Sequence, residues 1–346
     1  MNGTMRLARV HGPGDVRLDE VDLPRPGPGE VLVRVAACGI CGSDLSYIRQ
    51  GGLGGAEPLR APLPIGHEFA GTIAAIGSGV TDVAVGMRVA VNPDHGFIGG
   101  GGPDGAMAPF IRVSGARIGE TLFPLPDHVG FDRAALAEPL SVGLHALKVA
   151  HVRPRDRVAV LGAGPIGLCT VAMLHSMGVE RIAIFDRVDS RLDRARQLGA
   201  GLAVNVDDEP MAGALARFHG DGERFGAPFV DTDVFIDCAG APLALIEAVG
   251  IAKYRARIAI VALYKKPVNI DLWRLMANEI TMSGSIAVDR AAEFGEALAM
   301  IAGGGQDLGP LISHAFDFGD FHKALAVAAD SAASAKVMLT FAGDIA

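Results

Sequence analysis

Three short clusters in the first half of the chain carry side chains able to bind a metal or move protons. They are Cys38-Gly39-Ile40-Cys41-Gly42-Ser43-Asp44, Gly66-His67-Glu68 and Glu138-Pro139-Leu140. Thiolate, imidazole and carboxylate are all metal-ligand types. Cys38 and Cys41, taken alone, form a C-x-x-C that also reads as a redox pair or half of a zinc ribbon. The chain has no second C-x-x-C, so a four-sulfur ribbon is impossible, and a redox pair leaves His67 and the carboxylates unexplained. A lone histidine such as His67 is more often a satisfied structural residue than a ligand. The clusters one by one leave ligand and structural readings open.

A second chemistry is written farther on. Val158-Ala159-Val160-Leu161 runs into Gly162-Ala163-Gly164-Pro165-Ile166-Gly167, and a helical stretch follows. A G-x-G-x-x-G between a strand and a helix is the context that a dinucleotide loop requires. Gly162 allows the tight turn and Gly164 the close approach of a pyrophosphate. Gly167 allows the helix to pack on the strand, with the helix N-terminus facing the phosphates. The next strand, Arg181 to Phe185, ends at Asp186, 19 residues beyond Gly167. An acidic residue at that distance binds ribose hydroxyls and repels a 2′-phosphate, which favours NAD over NADP. Arg187, a cation at the next position, works against that preference.

These residues need elements to hold them. The first 150 residues are β-rich: Val31 to Val35, Gly71 to Ile76 and Phe110 to Val113 are short apolar runs between glycine and proline clusters. From about residue 150, strand-like and helical runs alternate. Arg157–Leu161, Pro165–Met177, Arg181–Phe185 and Asp189–Leu198 come first, with further strands expected at Val234–Ile236 and Arg257–Leu263. Buried apolar strands alternating with helices predict a doubly wound parallel sheet. After Gly284 the pattern predicts helices at Ala291–Ile301 and Phe321–Ala329 and strands at Leu311–Phe316 and Lys336–Phe341.

Composition narrows the class. At 346 residues the chain has room for about two domains. Half of its residues are hydrophobic, which excludes intrinsic disorder. A net charge of −8 without a basic stripe speaks against nucleic acid or an anionic membrane as partner. Glycine stands at 46 of 346, about 13% against a usual ~7%, which fits tight turns and close backbone approach to a ligand. Val158 to Val179 holds no Asp, Glu, Lys or Arg over 22 residues, but its glycines and proline read as strand, loop and buried helix instead of a span. With four cysteines and no signal-like start, a cytoplasmic, reducing compartment is expected.

In their order and spacing, Cys41-x-Ser43-Asp44, Gly66-His67-Glu68, Glu138-Pro139-Leu140-Ser141-Val142-Gly143 and the glycine loop resemble the medium-chain, zinc-dependent alcohol dehydrogenase superfamily. The branch they are most similar to is that of the polyol (sorbitol-type) and threonine dehydrogenases. The resemblance covers nearly the whole chain. It implies an α/β protein with a GroES-like, β-rich catalytic domain (1–150 and 285–346) interrupted by a doubly wound Rossmann NAD-binding domain (151–284). It implies one catalytic zinc on Cys41, His67 and an acidic residue, Glu68 or Glu138, with a position left open for substrate. Asp44 would orient the ligating histidine. Ser43, Glu68 and Glu138 would act in catalysis, and Ser46, Tyr47 and Ala287 would line the substrate pocket. Gly162, Gly164, Pro165, Ile166, Gly167, Asp186, Arg187, Arg191, Leu263 and Ile286 would bind the cofactor. The implied activity is hydride transfer between a secondary alcohol, or its ketone, and NAD(H), with zinc polarising the alcohol oxygen. A homodimer or homotetramer is implied too.

Three departures from the family pattern matter. Residues 92–105 contain none of the cysteines that hold a second, structural zinc, so one metal per chain is expected. Ser46 stands where many members have a proton-relaying histidine. Ser285-Ile286-Ala287-Val288 replaces the Arg-Tyr pair with which polyol dehydrogenases read extra hydroxyls, which tilts the substrate toward a less polar secondary alcohol. A sugar-alcohol dehydrogenase is the alternative. Threonine-type oxidation, a non-catalytic dinucleotide-binding protein and a zinc-free reductase are less favoured.

Overall fold

A hairpin opens the chain: β1 (Thr4–Gly12) pairs antiparallel with β2 (Asp15–Asp22), turning at Pro13-Gly14. β3 (Val31–Ile40) is the centre of the next sheet, as its run of Val, Leu and Ile with eight buried positions requires. It leads into α1 (Gly42–Gln50); then come β4 (Leu63–Pro64), β5 (Glu68–Ile76), β6 (Arg88–Val91), β7 (Phe110–Val113) and β8 (Leu122–Pro124). β3 runs antiparallel to β5 with Gly39 opposite Glu68, and β7 also pairs with β3. Two helices follow, α2 (Phe131–Ala135) and α3 (Ala137–Val149). The computed structural model describes residues 3–53, 59–286 and 290–341.

β9 (Arg157–Leu161), α4 (Pro165–Ser176), β10 (Arg181–Asp186), α5 (Asp189–Gln197), β11 (Leu202–Asn205) and α6 (Met211–His219) carry the strand–helix alternation. A small hairpin, β12 (Asp221–Arg224) with β13 (Ala227–Val230), interrupts it. β14 (Val234–Asp237), α7 (Pro242–Ile251), β15 (Arg257–Ile260), α8 (Leu272–Ala277) and β16 (Thr281–Gly284) resume it. The six strands run parallel in the order β11-β10-β9-β14-β15-β16. Numbered within the sheet that is 3-2-1-4-5-6, the order of dinucleotide-binding proteins, with the topological switch between β9 and β14. Covered on both faces, the central strands are apolar between their ends: Val158, Ala159, Val160, Phe235 and Ile236 are all fully buried.

The chain then returns through α9 (Ala291–Gly303), β17 (Ile312–Asp317), α10 (Phe321–Ala329) and β18 (Lys336–Thr340). β18 pairs antiparallel with β3, Val337 opposite Ile40, and completes a seven-stranded sheet. Its core gathers Val33, Val35, Phe69, Ile73, Phe318 and Leu339. Two compact units result: Met1–Glu138 with Val288–Gly305 and Ile312–Ala346, and Pro139–Ala287 with Gln306–Leu311. The last strip is bound to the parallel-sheet unit by Gln306 donating to the Leu198 carbonyl and Arg194 donating to that of Pro310, each at 2.9 Å.

A β-rich unit interrupted by a doubly wound sheet is the fold class expected from the sequence. The strand expected over Arg257–Leu263 stops at Ile260, because the amides of Val261 and Ala262 turn to the Asp237 carbonyl. The hairpin Asp221–Val230 was not anticipated; its two-residue turn puts Phe225 and Gly226 at φ +52° and +73°, and phenylalanine gives no turn signal there. The uncharged stretch from Val158 is strand, turn and α4. Among the described residues no helix is long and apolar enough to cross a membrane.

Candidate active site

Asp44 organises the metal-ligand cluster. Cys41 caps α1, and Asp44, three residues on, accepts the Cys41 amide on Oδ2 at 2.9 Å. Its other oxygen accepts the Gly66 amide at 3.1 Å and faces His67 Nδ1 at 3.6 Å. One fully buried carboxylate thus ties the loop bearing Cys41 to the loop bearing His67. Burial raises the Asp44 pKa, while His67 and the two amides pull it down. His67 suffers the same desolvation, yet Asp44 and Cys41 outweigh it and hold the imidazole well above its ordinary value.

Glu68 begins β5 across from Gly39, and β18 flanks β3 on the other side. That register delivers Lys336 Nζ to Glu68 Oε1 at 2.5 Å, and it also donates to the Ile40 carbonyl at 3.2 Å. The side chains of this pair are 2% and 1% exposed. Cys41, His67 and Glu68 each offer a ligand atom, all within 4.8 Å of one another, and form the one such group among the described residues. His67 Nδ1 and Glu68 Oε2 are buried without a hydrogen-bond partner. A sulfur, a nitrogen and an oxygen donor converging, with Glu68 Oε2 buried and unsatisfied among them, is a set that fits zinc.

Glu138, the second residue of α3, is buried beside this group but outside it. Arg290 donates to its Oε1, and Arg290 also sits 3.4 Å from Asp94. Burial raises the Glu138 pKa, with Arg290 the largest opposing influence. Ser43 Oγ lies 3.4 Å from His67 Nε2, and Tyr47, one helical turn on, is half-buried, with burial raising its phenol pKa. Ser46 accepts from Gln50 at 3.0 Å. Cys38 is fully buried against its own strand, its thiol pushed well up by desolvation.

In the second unit, the glycine loop has the shape its sequence requires. Gly162 sits at φ +94°, and a Cβ there would meet the Ala239 backbone at 2.9 Å; one on Gly167 would lie 1.8 Å from the Gly162 carbonyl oxygen. Gly164 caps α4 without a side-chain cap hydrogen bond, Pro165 occupies the first turn, and the Arg191 guanidinium comes within 4.0 Å of the Cβ position. Open backbone donors at a helix start, with a cation beside them, fit a pyrophosphate. Asp186 at the end of β10 accepts the Ala163 amide at 2.6 Å and those of Arg187 and Val188 at 2.8 and 3.0 Å.

Residues 27–127 match the alcohol dehydrogenase GroES-like domain, and residues 165–303 match the zinc-binding dehydrogenase domain. Over 326 residues the chain is 30% identical to human sorbitol dehydrogenase, covering 89% of this chain and 88% of that one. This chain belongs to the zinc-dependent medium-chain alcohol dehydrogenases, in the polyol-type branch. It is an oxidoreductase acting on alcohols with zinc and a nicotinamide cofactor. A (R,R)-butanediol dehydrogenase of Neisseria gonorrhoeae is likewise 30% identical, over 89% of this chain and 91% of its own. An alcohol dehydrogenase of Escherichia coli CFT073 solved with NADH superposes with a TM-score of 0.84 at 29% identity, over 98% and 99% of the two chains.

Within this dehydrogenase the structure brings Cys41, Ser43, Asp44, Tyr47, His67 and Glu68 together, and Gly162 to Gly167 with Arg191. Leu263 and Ile286, expected to bind the cofactor, are 84% and 78% exposed. Ala287, assigned to the substrate pocket, lies outside the described residues. Sequence reasoning missed Lys336, Arg290 and Asp94. It also missed Tyr264, whose hydroxyl donates to buried Asp237 at 2.6 Å while Asp237 accepts the Ala239 and Gly240 amides.

Proposed function

We propose that this dehydrogenase oxidises a secondary alcohol that carries a neighbouring hydroxyl, a diol or polyol, with NAD as the preferred acceptor. The observation that carries the reading is the convergence of Cys41, His67 and Glu68, with polar residues packed around them. Ser43, Tyr47 and the Glu138–Arg290 pair supply hydrogen-bonding groups beside the ligand set, as discrimination of hydroxyls requires. Sorbitol and butanediol, named in the relatives, both place hydroxyls on adjacent carbons. The sequence tilt toward a less polar alcohol rests on Ser285 to Val288, of which Ala287 and Val288 lie outside the described residues, so the polar groups around the ligand set are given more weight.

Cys41 Sγ, His67 Nε2 and Glu68 would hold the zinc, one per chain, with Glu138 close by. When bound, it supplies Lewis-acid polarisation of the alcohol oxygen. Asp44 fixes the histidine by facing Nδ1, which leaves Nε2 for the metal. Ser43 Oγ would take the substrate hydroxyl proton while passing its own proton on to water, a relay without a fixed base. The preference for NAD is supported by Asp186, whose carboxylate would meet a 2′-phosphate. Arg187, the cation that could welcome one, is turned to Asp207 at 2.9 Å. The β-rich unit is read as catalytic and the parallel-sheet unit as the NAD-binding domain. Four free cysteines support a reducing, cytoplasmic setting. A homo-oligomer is supported by the open edge of β16 and by exposed Leu272, Trp273 and Met276 on neighbouring α8.

The test is metal content by mass spectrometry together with NAD reduction across diols, polyols and simple secondary alcohols. Zinc retained by the wild type and lost in Cys41→Ser, with NADH binding intact in both, is expected, along with turnover of diols over their mono-hydroxy analogues. Preference for the mono-hydroxy alcohols overturns the substrate reading. Unchanged metal and turnover in Cys41→Ser overturns the ligand set.

A further inference from the structure

The turns that leave β9, β14 and β15 meet at one end of the parallel sheet, and Asp237 joins them. Its carbonyl accepts the Val261 and Ala262 amides at 2.9 and 3.0 Å, which fixes the start of the turn after β15. Its side chain is fully buried and accepts the Ala239 and Gly240 amides on Oδ1, each at 3.1 Å. The Tyr264 hydroxyl donates to Oδ2 at 2.6 Å. Burial, and after it the Asp237 carboxylate, raise the Tyr264 phenol above its ordinary value, so the hydroxyl keeps its proton. The turn after β14 is packed against the glycine loop as well. The Cys238 amide donates to the Leu161 carbonyl at 2.9 Å, and a Cβ on Gly162 would come within 2.9 Å of Ala239 Cα. Gly240 sits at φ +62°, and a Cβ there would press on that of Ala262 at 3.2 Å. A buried carboxylate needs partners for both oxygens, and Tyr264 is the side chain that meets the second.

The place of this tie in the fold gives its use. A dinucleotide lies across the carboxyl ends of the strands at the switch between β9 and β14, with its pyrophosphate at the α4 N-terminus. Asp186, the expected partner of the adenosine ribose, ends β10 on one side of β9. The other half of the molecule would therefore run over the opposite side, across the ends of β14 and β15, where Asp237 and Tyr264 stand. We propose that Tyr264, acting through Asp237, is a positioning residue that holds the turns after β14 and β15 as the seat of the nicotinamide half of the cofactor. The inference rests on the dinucleotide reading of this unit given under Proposed function. Leu263, next to Tyr264, leaves apolar surface exposed there for a flat ring to cover. Phenylalanine at 264 keeps the ring and removes only the oxygen, so Asp237 Oδ2 loses that donor while the rest of the side chain stays.

The experiment compares NADH with ADP-ribose, which carries the adenosine and both phosphates but no nicotinamide. Wild type, Tyr264→Phe and Gly240→Ala are each checked for folding by circular dichroism and titrated with both ligands by calorimetry. Bound NADH is also followed by its own emission, which reports the surroundings of the nicotinamide. Wild type should bind both ligands and change the emission of NADH. In Tyr264→Phe, ADP-ribose affinity should stay within about twofold of wild type, whereas NADH affinity should fall on the order of tenfold. The emission of NADH bound to that variant should move toward that of free NADH. Gly240→Ala pushes the same turn from the other side and should follow in the same direction; it carries the test if Tyr264→Phe does not fold. Loss of both ligands in equal measure overturns the proposal, because it marks a general loosening of the unit. NADH affinity and emission unaltered in the folded variants overturns it too. ADP-ribose left unbound by wild type would instead show that this unit is not the dinucleotide domain, and the seat would fall with that reading.

Discussion

Replacing Lys336 by methionine tests how the ligand cluster is balanced electrically. Nζ and Glu68 Oε1 stand 2.5 Å apart with 2% and 1% of their side chains exposed, so solvent cannot screen either charge. Removing one partner of such a pair costs about 3–5 kcal/mol, because the other charge is left buried and alone. The ammonium also satisfies the Ile40 carbonyl, which adds a lost hydrogen bond of about 1 kcal/mol. At roughly 2–4 °C per kcal/mol for a domain of this size, the metal-free variant should melt on the order of 10 °C below metal-free wild type. Zinc beside Glu68 restores a positive neighbour, so in the zinc-loaded proteins the gap should shrink to less than half. Differential scanning calorimetry of both proteins, with chelator and with excess zinc, reads the two gaps directly. Equal gaps with and without zinc would refute the idea that Glu68 faces the metal. A metal-free gap under about 1 kcal/mol would refute the magnitude assigned to the buried pair.

Two further outcomes are expected from the second unit. Burial between β10 and β13 holds the His219 pKa down to about 4, against an ordinary 6.5. The unfolded chain then binds the extra proton first, so the stability this neutral imidazole brings is complete above pH 6.5 and is lost as pH falls toward 4, on the order of 3 kcal/mol in all. Urea midpoints at pH 7 and pH 5 should therefore differ more in wild type than in His219→Gln, and equal differences would count against the assignment. Gly167→Ala drives a methyl to within 1.8 Å of the Gly162 carbonyl and must displace the phosphate loop. Overpacking against backbone costs about 1–3 kcal/mol, so NADH affinity measured by fluorescence titration should fall by about tenfold or more. Full affinity would show that the loop does not hold the dinucleotide.

Much of this was legible in the sequence where the informative residues lie close together in the chain. Cys41 and Asp44 share one helical turn, His67 and Glu68 are adjacent, and the glycine loop joins consecutive elements, so spacing alone carries their geometry. The apolar strands β9 and β10 were found because burial on both faces leaves an uninterrupted hydrophobic run. Lys336 and Arg290 were invisible for the opposite reason. They meet Glu68 and Glu138 from 268 and 152 residues away, and only the pairing of β18 with β3 and the return of the chain into α9 brings them there. A lysine starting a strand and an arginine before a helix look like surface residues until the fold closes over them.

Asp44 has a further consequence, for the order in which the holoenzyme is made. Its carboxylate already clasps the amides of Cys41 and Gly66, so the two loops that present sulfur and imidazole are joined by the polypeptide itself before any ion arrives. Lys336 meanwhile stands in as counter-charge for Glu68. Folding and metal loading are therefore expected to be separable: chelator-treated protein should keep its circular dichroism spectrum and take zinc back, and loss of fold on chelation would show that the ion is needed to join the loops.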